Sequence, residues 1–238
     1  TVVALSISFT TLAAYGQENI LVGRIAHVDG KLLRYVDEGK DWVVTVKDTP
    51  FGLQDALYSG DSAKAELILP NRTWIRIGEN TQVQLFALTD DATTLDVASG
   101  TARVYNKSRD VVSKVTTPFG YVVAPGGTVF DLYVGDESME VIAVRGDVDV
   151  VHDANRSRYT VREGAASLIA DRSGTARGNG TVDSLWDDWN GDRDRRPRHR
   201  HLPRPGGGRR AGQSRASTGV GFGRRRPHAF RTASPELA

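Results

Sequence analysis

The feature that most constrains this chain is its punctuation. From residue 21 to about residue 170, short apolar or alternating runs are separated by Gly, Asp, Asn or Pro, and helical periodicity is almost absent. Runs of this kind are half-buried strands joined by tight turns. Ala65, Leu67 and Leu69, and Ile75 with Ile77, repeat with period two, so one face of each run is directed inward. The pattern predicts strands over 21–28, 32–36, 63–69, 73–77, 82–88, 94–97, 102–106, 111–116, 120–124, 129–134, 139–145, 148–152, 159–162 and 166–170. The fold class is all-β, with many short strands arranged as a β-solenoid-like stack or a two-sheet sandwich. The spacing does not choose between the two, and the lack of a strict repeat weighs against a solenoid.

A single helix is predicted near 183–190, within a segment spanning 181–192. Asp183 is placed to cap it, Asp187 and Asp188 lie near its positive end, and Leu185, Trp186 and Trp189 are expected to share a face. It reads as a clasp that docks its tryptophans on the β body.

The formal charge of +2 averages two unlike segments. In 193–238, 13 arginines stand against Asp194 and Glu236, a net of +11, which leaves the preceding residues at −9. All six lysines lie in the acidic body. The tail is Arg-, Gly- and Pro-rich, too poor in apolar residues to offset its ordering entropy, and is expected to be disordered. Its loss of Lys also fits a GC-rich gene read out of frame. Residues 1–16 resemble the end of a signal peptide with a cleavage site after Gly16, too short to span a bilayer. They imply a periplasmic or secreted protein. The absence of Cys excludes thiol catalysis and Cys-ligated zinc.

Several motifs follow in a fixed order. Leu57-Tyr58-Ser59-Gly60-Asp61-Ser62 leads into the strand Ala65 to Leu69 and a turn at Pro70-Asn71-Arg72. Next come Val97-Ala98-Ser99-Gly100-Thr101-Ala102-Arg103-Val104, Val115-Thr116-Thr117-Pro118-Phe119-Gly120 and Gly127-Thr128-Val129-Phe130-Asp131-Leu132. Val141-Ile142-Ala143-Val144-Arg145-Gly146-Asp147-Val148 and Val161-Arg162-Glu163-Gly164 close the series. This series resembles the FecR domain, over a β domain of 20–172. The resemblance implies structural turns at Gly60, Asp61, Gly100, Pro118, Gly120, Gly127, Thr128, Gly146 and Gly164, positions that shape the backbone and carry no chemistry. Family members that regulate iron-transport signalling place a sigma-factor-binding segment and a membrane helix before this domain. This chain is more similar to the secreted, signal-peptide-bearing branch.

Other constellations are set aside. Gly60-Asp61-Ser62 with Asp149 and His152 matches the motif order of GDS-type hydrolases, but that chemistry needs an α/β sandwich, and Asp149 and His152 fall on opposite faces of a strand. His27, His152, His199, His201 and His228 show no ligand spacing outside the tail, and Asp147, Asp149 and Asp153 lack a calcium-loop pattern. Arg145-Gly146-Asp147 coincides with a predicted turn. The sequons at Asn71, Asn106, Asn155 and Asn179 matter only in a eukaryotic secretory pathway. No catalytic, cofactor or metal residue is nominated, and nucleic acid is not an expected partner despite the basic tail. The sequence predicts a non-enzymatic exported module that binds an envelope protein or polymer, or alternatively a regulatory component of a sigma/anti-sigma type cell-surface system whose transmembrane partner is another chain.

Overall fold

The structure, a computed structural model, describes residues 21–195. The signal-peptide reading of 1–16 and the disorder expected beyond Arg195 lie outside the described residues. Seventeen strands and one helix follow in order among those described. The strands are Gly23–Asp29 (β1), Leu32–Val36 (β2), Asp41–Thr45 (β3), Pro50–Phe51 (β4), Ala56–Ser59 (β5), Lys64–Ile68 (β6), Thr73–Ile77 (β7) and Gln82–Leu88 (β8). Ala92–Asn106 (β9), Val112–Thr117 (β10), Gly120–Ala124 (β11), Val129–Val134 (β12), Ser138–Arg145 (β13), Val148–His152 (β14), Arg158–Val161 (β15), Leu168–Asp171 (β16) and Thr175–Arg177 (β17) complete them, and Ser184–Arg195 forms α1.

The pairings sort the strands into two sheets. Sheet I runs β4-β1-β6-β7-β9-β12-β13-β16-β17. Sheet II runs β3-β2-β5-β8-β9-β10-β11-β14-β15. All pairs are antiparallel except β9 with β10. From β10 onward, successive hairpins alternate between the sheets and both sheets grow in the same direction. The protein is therefore a two-layer sandwich wound in a solenoid-like manner, which resolves the two architectures the sequence left open. The inward faces of both sheets meet in one core that includes Ile25, Leu57, Leu67, Ile75, Val83, Leu95, Val104, Val122, Phe130, Val141 and Val150.

Strand β9 belongs to both sheets. Its first half pairs with β8 and β10, its second half with β7 and β12. Gly100, expected at a turn between two strands, lies inside this strand with φ of +92°. A Cβ there would sit 2.3 Å from Thr81 Oγ1, so only glycine permits the bend. That explains why 94–97 and 102–106 read as separate strands: a glycine inside a run looks like an end.

The other turn positions fall as follows. Gly60 and Asp61 lie between β5 and β6, where the left-handed residue is Ser62, φ +55°, rather than Gly60. Pro118 lies in the β10–β11 hairpin, Gly127 and Thr128 before β12, Gly146 between β13 and β14, and Gly164 between β15 and β16. Gly120 begins β11 with φ of +151°, and a Cβ would meet the Val151 carbonyl at 2.2 Å.

Candidate functional site

The most constructed constellation lies on the outer face of sheet I. Four strands each carry one charged residue between two core residues: Glu66 between Ala65 and Leu67, Arg76 between Ile75 and Ile77, Arg103 between Ala102 and Val104, and Asp131 between Phe130 and Leu132. Because side chains alternate, inward packing of the neighbours puts each charge outward. Register then aligns them, Glu66 opposite Arg76, Arg76 opposite Arg103, and Arg103 opposite Asp131. The result is an acid-base-base-acid row across β6, β7, β9 and β12.

Two arginines directly opposite one another repel unless each has an acid. Here each leans outward along the row. Arg76 Nε donates to Glu66 Oε2 at 2.8 Å, and Arg103 Nε and Nη2 donate to Asp131 Oδ1 and Oδ2 at 2.7 and 2.6 Å.

Helix α1 covers this row, and all four charged side chains are buried beneath it. Asp183 caps the helix, its Oδ1 accepting the Trp186 N–H at 2.8 Å. Two carboxylates seven residues apart complete the arginines: Asp187 accepts from Arg103 Nη1 at 2.8 Å and Asp194 from Arg76 Nη2 at 2.7 Å. Arg76 Nη1 also donates to the Asn190 carbonyl at 2.9 Å and to the Tyr105 hydroxyl at 2.6 Å. Arg193 Nη2 reaches Glu66 Oε1 at 3.1 Å, and the Trp186 indole N–H reaches Asp131 Oδ1 at 3.0 Å. Trp189 stacks on Trp186 with ring centroids 5.6 Å apart.

The electrostatics follow from burial under the helix. Burial pushes the Glu66 carboxyl upward, but hydrogen bonds and charge from Arg76 and then Arg193 outweigh it and hold the group below its ordinary value. Burial opposes the Arg103 charge, and the bonds from Asp131 outweigh that and hold the guanidinium above its ordinary range. Burial pushes the Asp131 carboxyl up against the pull of Arg103 and Trp186. Both Asp131 oxygens face N–H donors, so the carboxylate form is the one the geometry accommodates. Burial also raises the Tyr105 and Tyr133 hydroxyls to about 12.

The clasp residues separate. Trp186 is buried and Trp189 half-buried, whereas Leu185 is 76% exposed and takes no part in docking. At about 100° per residue, the docking face is set by Trp186, Asp187, Asn190, Arg193 and Asp194, and Leu185 lies beyond its far edge. The helix also runs past the expected end at residue 192 to Arg195. Arg193 and Asp194, assigned from composition to the disordered tail, are instead ion-pair partners of the sheet. Sequence reasoning missed the whole row of Glu66, Arg76, Arg103 and Asp131, although the repeated apolar-charge-apolar triplet in four strands was a readable signal.

The hydrolase constellation is not assembled. His152 is fully buried, its Nε2 bonded to the Asp171 carbonyl at 2.6 Å and its Nδ1 to Asn155 at 3.1 Å, while Asp149 accepts from Thr160 at 2.8 Å. The Ser62 N–H donates to Glu79. Arg145, Gly146 and Asp147 bond to Gly127 and Glu163 within the domain. Among the described residues no three His, Asp or Glu side chains converge as a metal-binding group. No described helix is long and apolar enough to cross a membrane.

Residues 55–149 match the model of the family described as FecR protein, so a FecR domain occupies the stretch from β5 into β14. Two crystal structures of a candidate anti-sigma factor from Parabacteroides distasonis, at 1.65 and 2.50 Å resolution, are similar at 19% and 20% identity with a TM-score of 0.47 in each case. The alignments cover 57% of this chain and 65% and 64% of those chains, so this chain spans somewhat under two thirds of their length. No curated protein matches.

Proposed function

We propose that this chain is a non-catalytic binding module of the bacterial cell envelope that serves as a regulatory component of cell-surface signalling. The observation that carries the reading is the FecR domain over residues 55–149. The family resemblance implies a periplasmic location and a part in signal regulation. The organisation of the charges is in keeping with it: the buried acids and bases of sheet I are bound to one another and to α1, a structural use that leaves a rigid sandwich free to present its surfaces. The export signal, the partner and the polymer-binding alternative belong to the same proposal.

The test is fractionation of the native host with the tagged full chain, combined with transcript profiling after its deletion. The expected result is a periplasmic or secreted protein whose loss changes transcription of a small gene set. A cytoplasmic protein with unchanged transcription refutes the proposal, and covalent labelling of Ser62 by a fluorophosphonate refutes its non-catalytic part.

A further inference from the structure

Along most of the sandwich the inner face of each strand is covered by the strands that follow it, but the last rung has no successor among the described residues. It consists of β15 at the end of sheet II and of β16 with β17 at the end of sheet I, strands of four, four and three residues. Val161 of β15 and Leu168 of β16 carry the core to this end, and Tyr159 packs against it partly buried. Between the two layers here lies a cleft of about 410 Å³, with Val161 and Leu168 as its apolar floor.

The rim of the cleft is cationic. Leu168 stands directly opposite Arg177 in the β16–β17 register, and residues directly opposite project to the same side of a sheet. Because Leu168 faces the core, Arg177 is also directed toward sheet II. From the other layer, Val161 runs into Arg162, whose carbonyl accepts the Ala165 N–H at 3.1 Å in a turn that holds Gly164 at φ +66° and walls the cleft. Both arginines line the cleft and both are exposed.

Neither has an internal counter-charge. No Asp or Glu lines the cleft, and among the described residues neither guanidinium takes part in an ion pair. Arg76 and Arg103, by contrast, each hold two carboxylates. The neighbouring acids are engaged elsewhere: Glu163 accepts the Gly146 N–H at 2.7 Å, Asp149 the Thr160 hydroxyl at 2.8 Å, Asp171 the Gly174 N–H at 2.7 Å, and Glu140 the Ser167 hydroxyl.

An apolar floor beneath two unpaired guanidiniums is complementary to an anionic head on an apolar body. Guanidinium forks match carboxylates through paired N–H donors, and the cleft falls within the roughly 300–1,000 Å³ of small-molecule sites. A neutral apolar ligand leaves the arginines unused, and a bare anion leaves the floor wet. We propose that the cleft between β15 and the β16–β17 hairpin binds a free amphiphilic monocarboxylate, with Arg162 and Arg177 on the carboxylate and Val161, Leu168 and Tyr159 against its alkyl chain. The site is separate from the signalling role proposed above and does not depend on it.

The experiment is calorimetric titration of the full chain with decanoate, decanol and acetate, all below micelle-forming concentrations, with amide NMR shifts to locate the bound ligand. Decanoate is expected to saturate one site per chain, while decanol and acetate, each with half of the chemistry, bind at least about tenfold more weakly. Arg162→Gln and Arg177→Gln each weaken decanoate on the order of tenfold, and the double variant weakens it further. Decanol binding stays unchanged in all three variants, which a misfolded chain does not reproduce. Absence of saturable decanoate binding, decanol binding as tight as decanoate, or undiminished decanoate binding in the double variant overturns the proposal. Shifts that cluster away from Tyr159, Val161 and Leu168 overturn it too.

Discussion

Replacing Arg76 with methionine tests the charged row at its most connected point. The side chain is fully buried and donates to Glu66, Tyr105, Asn190 and Asp194. Methionine keeps most of the volume but none of the donors, and it leaves the Glu66 charge beneath α1 without Arg76, though still paired with Arg193. Removing one partner of a buried ion pair costs about 3–5 kcal/mol, chiefly because the other charge stays buried. At about 2–4 °C per kcal/mol for a domain of this size, the midpoint of thermal unfolding falls by roughly 6–20 °C. The companion Arg76→Met/Glu66→Gln removes that charge and recovers roughly 1–3 kcal/mol of the loss. Urea unfolding followed by tryptophan fluorescence measures both, since Trp186 and Trp189 lie on the helix that covers the row. A loss under about 1 kcal/mol in the single variant, or a double variant no more stable than the single, refutes the argument that the row is a buried ionic lattice sealed by α1.

Further outcomes follow from the same geometry. Gly120→Ala drives a Cβ into the Val151 carbonyl and should cost upwards of about 2 kcal/mol in urea unfolding. Leu185→Ala should change stability by less than about 0.5 kcal/mol, whereas Trp186→Ala, which empties a buried site and removes a donor to Asp131, should cost about 3 kcal/mol. Because Glu66 is held below its ordinary value of 4.5, its contribution to stability is complete above that pH and is lost as pH falls through the depressed value. The difference in urea midpoint between the parent chain and Glu66→Gln should therefore shrink on acidification, and a difference independent of pH would contradict the assignment.

Most of the sandwich was legible because its strands alternate cleanly. The strands at 32–36, 73–77, 82–88, 120–124, 129–134 and 148–152 coincide with β2, β7, β8, β11, β12 and β14. Four strands were missed, β3, β4, β5 and β17, and the first three have physical reasons. Strand β3 is an edge with both faces partly wet, so Trp42-Val43-Val44 shows no alternation, and β4 is two residues beginning with proline. Strand β5 buries Ala56 on one face and Leu57 and Ser59 on the other, a run that local pattern does not separate from a loop. The candidate site was legible in pieces only. The inward alternation of Ala65, Leu67, Ile75 and Ile77 left Glu66 and Arg76 for an outer face, the row they form with Arg103 and Asp131 was not read, and the helix was expected to bring aromatic residues. Nothing local says that a helix more than fifty residues after Asp131 brings Asp187 and Asp194 onto those same arginines. The residue chosen for its hydrophobicity, Leu185, proved the wrong one because the docking face of α1 is mostly polar.

The sharing of β9 has a mechanical consequence. A sandwich whose layers touch only through side chains can be pried open like a book, each leaf keeping its own ladder. Here one continuous strand is stitched into both leaves, with four neighbours bonded along its length. Pulling the leaves apart strips that strand from one of them, so opening the interior and breaking backbone ladders become a single event. A load applied to either layer is borne by both.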